Sequence, residues 1–265
     1  MMEKHSEKFM LLLNEGHLVA EMLAQGVSWI NKVYKNKQTL YYMVFFNLSI
    51  GFERLLKLIL ITHKVYRNED ISYDYIKKLG HKLNTLQQDV LKITELYSPL
   101  SFDKNRISFP IHNAIINELN DFANRTRYHN LDKLGQKNIF DPITSWKKNV
   151  IKYIQENDIK RYSLSKEDKE LASKLDACTV FDMQNIASWK DMMIQSKEDP
   201  QIEKFLRLYI MQIIREYSQL LIEISNFGWE ERNENIPYFK EIFCWLVQTD
   251  SWYKSHKTYS IYGIK

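Results

Sequence analysis

Glycine, proline and cysteine are all scarce in this chain. Across 265 residues there are seven Gly, five Pro and two Cys. So few breakers leave little room for the closely spaced turns of a β-sandwich or barrel, and long helices are expected instead. Cys178 and Cys244 stand far apart with no CxxC spacing, which excludes a zinc ribbon and a disulfide framework and points to a reducing compartment. Both are read as small buried hydrophobes. No apolar run approaches the roughly 20 residues that a membrane-spanning helix needs, and the charged start MMEKHSEKF lacks a cleavage site for a leader. A cytoplasmic protein without a membrane anchor is the expectation. Nor is there an excess of either charge. Net +4 is mildly basic and falls short of the strongly basic balance of a dedicated nucleic-acid binder. GxGxxG, GxxxxGK[ST], HExxH and GxSxG are all missing, so the common nucleotide-fold, metalloprotease and hydrolase signatures are excluded, and no metal or cofactor is called for.

What is present is helical periodicity. Between residues 40 and 63, Tyr41, Val44, Phe45, Leu48, Phe52, Leu55, Leu56 and Ile59 recur at steps of three and four, the pattern of one buried helix face. Asn47, Arg54 and Lys57 fall opposite, and Glu53 sits at the stripe's edge four residues before Lys57, the favoured order for a helical ion pair. A first helix over about 6–34, with Gly16 and Gly26 as weak points, is expected to pair antiparallel with it. Further helices are predicted after the polar connection RNEDISYD, through Leu79 and Leu96 up to a stop at Pro99, then from Pro110 to Phe122, and over 142–155. Beyond these lie a weaker helix over 184–197 and a strong one over 201–225. Ser165 followed by Asp168 has the form of a capping box, and the polar stretch 156–168 before Leu171 marks the preferred boundary. Residues 1–158 would form an antiparallel up-and-down bundle, and 159–265 a C-terminal helical extension that packs on it or makes a dimer contact. The fold class is all-α.

Three segments carry the functional signal: GFERLLKLILI at 51–61, GHKLNTL at 80–86 and FANRTRYHNLD at 122–132. In this order and at these separations they resemble HEPN domains (higher eukaryotes and prokaryotes nucleotide-binding), a likeness that covers roughly residues 35–150. The resemblance implies a helical bundle, frequent homodimerisation, and one of two activities. In one class an Arg and a His, with four to six residues between them, meet across a dimer cleft and cut RNA without metal. In the other the turn has decayed to an Arg-Tyr form that binds a nucleotide, RNA or a cognate protein partner. A role in a bacterial defence or stress system, of toxin type, goes with the first.

Carried onto this sequence, Arg125 and Arg127 would hold phosphate, His129 would move the proton, and Tyr128 and Asn130 would flank them. Glu53 would brace one of the arginines, with Lys57 and His81 in support. The residue types suit the chemistry, because an imidazole titrates near neutrality and guanidinium charge stabilises a phosphorane. Three residues rather than four stand between Arg125 and His129, so cleaving and binding both remain open. A second pair with nuclease-like spacing, Arg106 and His112, lies just before the next helix. The terminal string Trp252, Tyr253, Lys254, His256, Lys257 and Tyr259 mixes rings with cations, which suits single-stranded nucleic acid or a packed tail. Glu230 and Glu231, being adjacent, would point apart into solvent.

Overall fold

A computed structural model describes residues 5–33, 39–96, 102–160, 162–175, 180–182 and 185–259. The Pro99 stop and Cys178 lie outside the described residues. The fold is all-α apart from one short antiparallel ribbon, β1 (Val180–Asp182) with β2 (Asn185–Ala187), in which Val180 faces Ala187.

The frame is a pair of long antiparallel helices, α1 (Glu7–Val33) and α2 (Thr39–Tyr66). Both expected weak points turn out to be close contacts: Gly16, where a Cβ would stand 2.8 Å from Phe239, and Gly26, which with Gly51 lies where α1 and α2 cross. A Cβ at Gly26 would stand 2.7 Å from Leu48, and one at Gly51 would stand 2.8 Å from Leu23. Glycine here lets two backbones approach, so the helices are locked together at these positions rather than loosened. Arg54 then clamps the crossing from outside through two hydrogen bonds to Glu15, at 2.8 and 2.6 Å.

One predicted helix is divided in two. α3 (Tyr73–Leu79) stops at Gly80, whose φ of +64° favours glycine, and α4 begins at Leu83 and runs to Thr94. α5 (Pro110–Asp121) starts on Pro110, where the missing N–H costs nothing. It buries Ile111, Ile115 and Leu119 before the chain passes through a π-helical turn, Phe122–Thr126, into α6 (His129–Leu134). α7 (Pro142–Trp146), a second π turn and α8 (Lys152–Asn157) make one continuous rod, and α9 (Lys166–Leu175) follows with Ser165 Oγ accepting from the Asp168 N–H.

Two predicted helices are fused. α10 runs unbroken from Trp189 to Glu230, 42 residues with Pro200 inside. Residues 185–187, expected in the weaker helix, form β2 instead, and Ser188 caps the new start by accepting from the Asp191 N–H. Pro200 removes one rung of the ladder, which a helix tolerates when packing on either side holds it. From Ile202 onward α10 lies in the core against α1, α2 and α5, and a single buried cluster joins residues such as Leu23, Phe52 and Ile115 to Ile210, Tyr217 and Ile224. α11 (Lys240–Phe243) and α12 (Asp250–Ser255) fold back over α10. Cys244 is exposed, not buried as expected, because the one-turn helix that carries it presents Phe243 and Leu246 to the core. Among the described residues no helix is long and apolar enough to cross a membrane.

Candidate functional site

The apolar face of α5 fixes where its polar face must lie. With Ile111, Ile115, Leu119 and Phe122 inward, Asn117, Asn120 and Asn124 align one helical turn apart beside the start of α4. Lys82 offers α4 no side-chain cap, and Asn120 supplies one from the neighbouring helix, its Oδ1 accepting from the Leu83 N–H at 3.1 Å. Asn84 donates to Asn117 at 3.0 Å, and Asn124 donates to the Asn120 carbonyl at 2.7 Å. The result is an asparagine seam between α4 and α5 that ends at Arg125. The sequence reading missed this seam. Its signal was the 3–4 spacing of Asn117, Asn120 and Asn124.

Glu53, Lys57 and His81 are brought together. The Glu53 carboxylate, 13% exposed, accepts from Lys57 Nζ and from His81 Nδ1 with one oxygen, each at 2.8 Å. Glu53 therefore does not brace Arg125 or Arg127. The break at Gly80 swings His81 back onto α2 and fills the place that an arginine was expected to occupy.

The Arg/His turn is shaped by its π-helical residues. A π turn widens the helix and shifts its register. Phe122 stays fixed in an aromatic nest, 5.3 Å from Phe45 and 5.0 Å from Phe46 between ring centres, while the residues after it rotate. Arg125 emerges with a side chain 68% exposed, and Tyr128 is 61% exposed. Asn130 also faces solvent. Thr126 turns inward, Arg127 is half-buried, and His129, the first residue of α6, is only 5% exposed. Arg125 has one loose ion pair, 3.8 Å to Asp121 one turn earlier. Thr126 Oγ1, Arg127 Nε and His129 Nδ1 are buried atoms with no hydrogen-bond partner among the described residues, three within four residues.

The second Arg/His pair has a different fate. His112, fully buried, hydrogen-bonds through Nε2 to Gln212 at 2.9 Å, and Gln212 donates to Asp250 at 2.9 Å. One turn further along α10, Glu216 receives Arg106 at 3.7 Å, Arg215 at 3.4 Å and the Asp103 N–H at 3.3 Å. Arg215 also reaches Asp250 at 2.8 Å. Burial holds the His112 pKa below its ordinary value, partly opposed by the bond to Gln212. This network ties the α5 approach to α10 and α12, and its charges are matched.

The terminal string is packed rather than free. Tyr253 and Tyr259 are buried, and Trp252 stacks on His256 at 3.8 Å. The buried Arg207 guanidinium donates to the backbone carbonyls of Tyr253 and Lys254 and to Asn31. Glu231 does not merely face solvent, since it accepts from the Tyr66 hydroxyl at 2.8 Å. No family model, no curated protein and no solved structure matches the chain.

Proposed function

We propose that the protein binds RNA through the surface formed by the asparagine seam, Arg125 and Tyr128, in the manner of the non-cleaving members of the family it resembles. The observation that carries this reading is the joint exposure of Arg125 and Tyr128 on one turn, beside a row of amide side chains. Arg125 takes a phosphate, a step made easy because its one ion pair among the described residues is long and solvent-screened and so contributes little. Tyr128 offers a ring face for a base, and the amides of Asn84, Asn117 and Asn124 suit base edges and 2′-hydroxyls. Lys82, exposed beside His81 at the start of α4, adds positive charge at the far end of the seam. His129 is enclosed in the single chain, and this favours binding over cutting. A gel shift with single-stranded RNA at two salt concentrations tests the proposal. Binding that weakens with salt, without shortened RNA, is the expected outcome, and no shift at low salt would reject it.

A second reading has its own observation. The orphan atoms at Thr126, Arg127 and His129 are unusual in so short a stretch, because buried polar atoms are nearly always paired. A homodimer that opens this turn would supply their partners and complete a metal-independent endoribonuclease, with His129 as the proton carrier and Arg125 and Arg127 on the phosphate. Cleavage in the presence of a chelator, abolished by His129→Ala, would select this reading.

A further inference from the structure

At the opposite end of α2 a cavity of about 440 Å³ opens between the start of α1 and the segment that follows α10. This size is within the range of small-ligand sites. His5, Ser6 and Phe9 line one side, and Trp229, Arg232, Asn233, Glu234 and Ile236 line the other. Two rings make its walls. Trp229 is half exposed yet held rigidly, its indole N–H donating to the Ile236 carbonyl at 3.0 Å and its edge packed on Tyr238. Phe9 is backed by His5, stacked at 4.1 Å.

The polar residues of the rim divide into two sets. Asn233 binds the Val65 carbonyl and the Asn235 N–H, and Ser6 binds Asn235, so these hold the fold together. The side chains of Arg232 and Glu234 make no hydrogen bond or ion pair with any described residue. Arg232 is also in the wrong conformation for its type. It closes α10 with φ +56°, the left-handed position after a helix where the Asn233 N–H returns to the Gly228 carbonyl at 2.8 Å. Glycine is the residue that suits this position. A non-glycine residue kept in a strained conformation with an uncommitted guanidinium at a cavity rim points from conformation to function.

We infer that the cavity is a binding site for a guanine nucleotide. The base would stack on the exposed face of Trp229, above a floor made by the buried Phe9. Guanine alone among the common bases presents two adjacent N–H donors, at N1 and N2, and the two oxygens of the Glu234 carboxylate match them. Adenine and cytosine place an acceptor beside the donor, and uracil flanks its N–H with carbonyls. Arg232 takes the phosphate with its planar fork. The site is separate from the RNA surface, since the run of α2 from Glu53, which holds His81, to Val65, which holds Asn233, puts about 18 Å between their nearer ends at 1.5 Å per residue.

The experiment is calorimetric titration of the full chain with guanosine monophosphate, adenosine monophosphate and guanosine, alongside thermal melts. The nucleotide of guanine is expected to bind saturably, at least tenfold tighter than either of the other two. Arg232→Gly relieves the strained conformation, so this variant should melt no lower than the parent while its affinity for guanosine monophosphate falls at least tenfold. Glu234→Gln should abolish the preference for guanine over adenine. Arg125→Ala should leave nucleotide binding unchanged, and Arg232→Gly should leave the RNA gel shift unchanged, so the two sites stand or fall separately. Absence of saturable binding at millimolar nucleotide, equal binding of both bases, or loss of binding in Arg125→Ala would each overturn the assignment.

Discussion

The chain has two arginine–histidine pairs of similar spacing, and their surroundings differ sharply. Around Arg106 and His112, every charge has a partner: Glu216, Gln212, Asp250 and Arg215 form a connected set that links three helices, and His112 Nδ1 is the one buried atom of the set left unpaired among the described residues. Around Arg125 and His129, an exposed guanidinium has one long ion pair and three neighbouring polar atoms have none. A satisfied polar network is a device of architecture, whereas a cluster of exposed or unpaired groups at a helix irregularity is where a ligand finds something to bind. The difference lies in what surrounds the residues rather than in the residues themselves. Similar motifs thus separate into a brace and a surface only once the fold is known.

The contrast breaks most visibly at Glu216. Its carboxylate is almost fully buried and faces two guanidiniums; its loss leaves Arg106 to solvent and Arg215 on Asp250, so the cost is that of the lost charged hydrogen bonds, about 3 kcal/mol. Glu216→Ala should therefore lower the melting temperature by roughly 10 °C, with RNA binding intact wherever the fold is retained. The opposite pattern is expected of Arg125→Ala. Its stability should stay within about 0.5 kcal/mol of the parent, RNA affinity should drop about tenfold, and the salt dependence should lose about one unit of slope. If Arg125→Ala melted early while Glu216→Ala did not, the roles assigned to the two regions would be reversed.

The sequence states some of this directly and hides the rest for physical reasons. The α1–α2 pair, the Pro110 start and the Glu53–Lys57 ion pair follow from local periodicity and local spacing, and all three are present. Long-range partners are different. Glu53 was expected to meet an arginine, and it meets His81, because one glycine at position 80 redirects the chain. The inward turn of His129 depends on a π-helical register shift, which no apolar pattern encodes. Pro200 reads as a break in isolation, yet α10 continues through it because the core holds both sides. The asparagine seam was visible as a 3–4 spacing, but only its contacts with Leu83 and Asn84 give it meaning.

A smaller effect tests whether α10 tolerates a half-buried acid at Asp199 as it does the buried Glu216. Asp199 lacks a guanidinium partner. Burial, then the nearby Glu203 and Glu198, push its carboxyl up to about 7, with Lys147 and Gln195 pulling the other way. An acid whose folded pKa lies above its unfolded one keeps its proton longer in the folded state, so stability falls as pH rises from about 4 to about 7. His112 acts with the opposite sign: its lowered pKa makes stability fall as pH drops below its ordinary value near 6.5. Asp199→Asn should raise the melting temperature at pH 8 by about 3 °C and change little at pH 4. Melts across this range should then show the rise toward neutrality that His112 contributes, and an unchanged pH profile would remove Asp199 from the account.

The mildest change is expected at His81, where the surface region borders on architecture. His81 is 76% exposed and shares the Glu53 carboxylate with Lys57. Deleting it leaves Glu53 paired, so the loss of stability in His81→Ala should stay below about 1 kcal/mol, the range of exposed ion pairs. If the seam carries RNA from Arg125 to the start of α4, the same variant should weaken RNA binding about twofold to threefold, less than a full phosphate contact. Combining it with Arg125→Ala should multiply the two losses, because distant sites act independently. A double variant no weaker than Arg125→Ala alone would confine the RNA to the turn and leave His81 as part of the brace on α2.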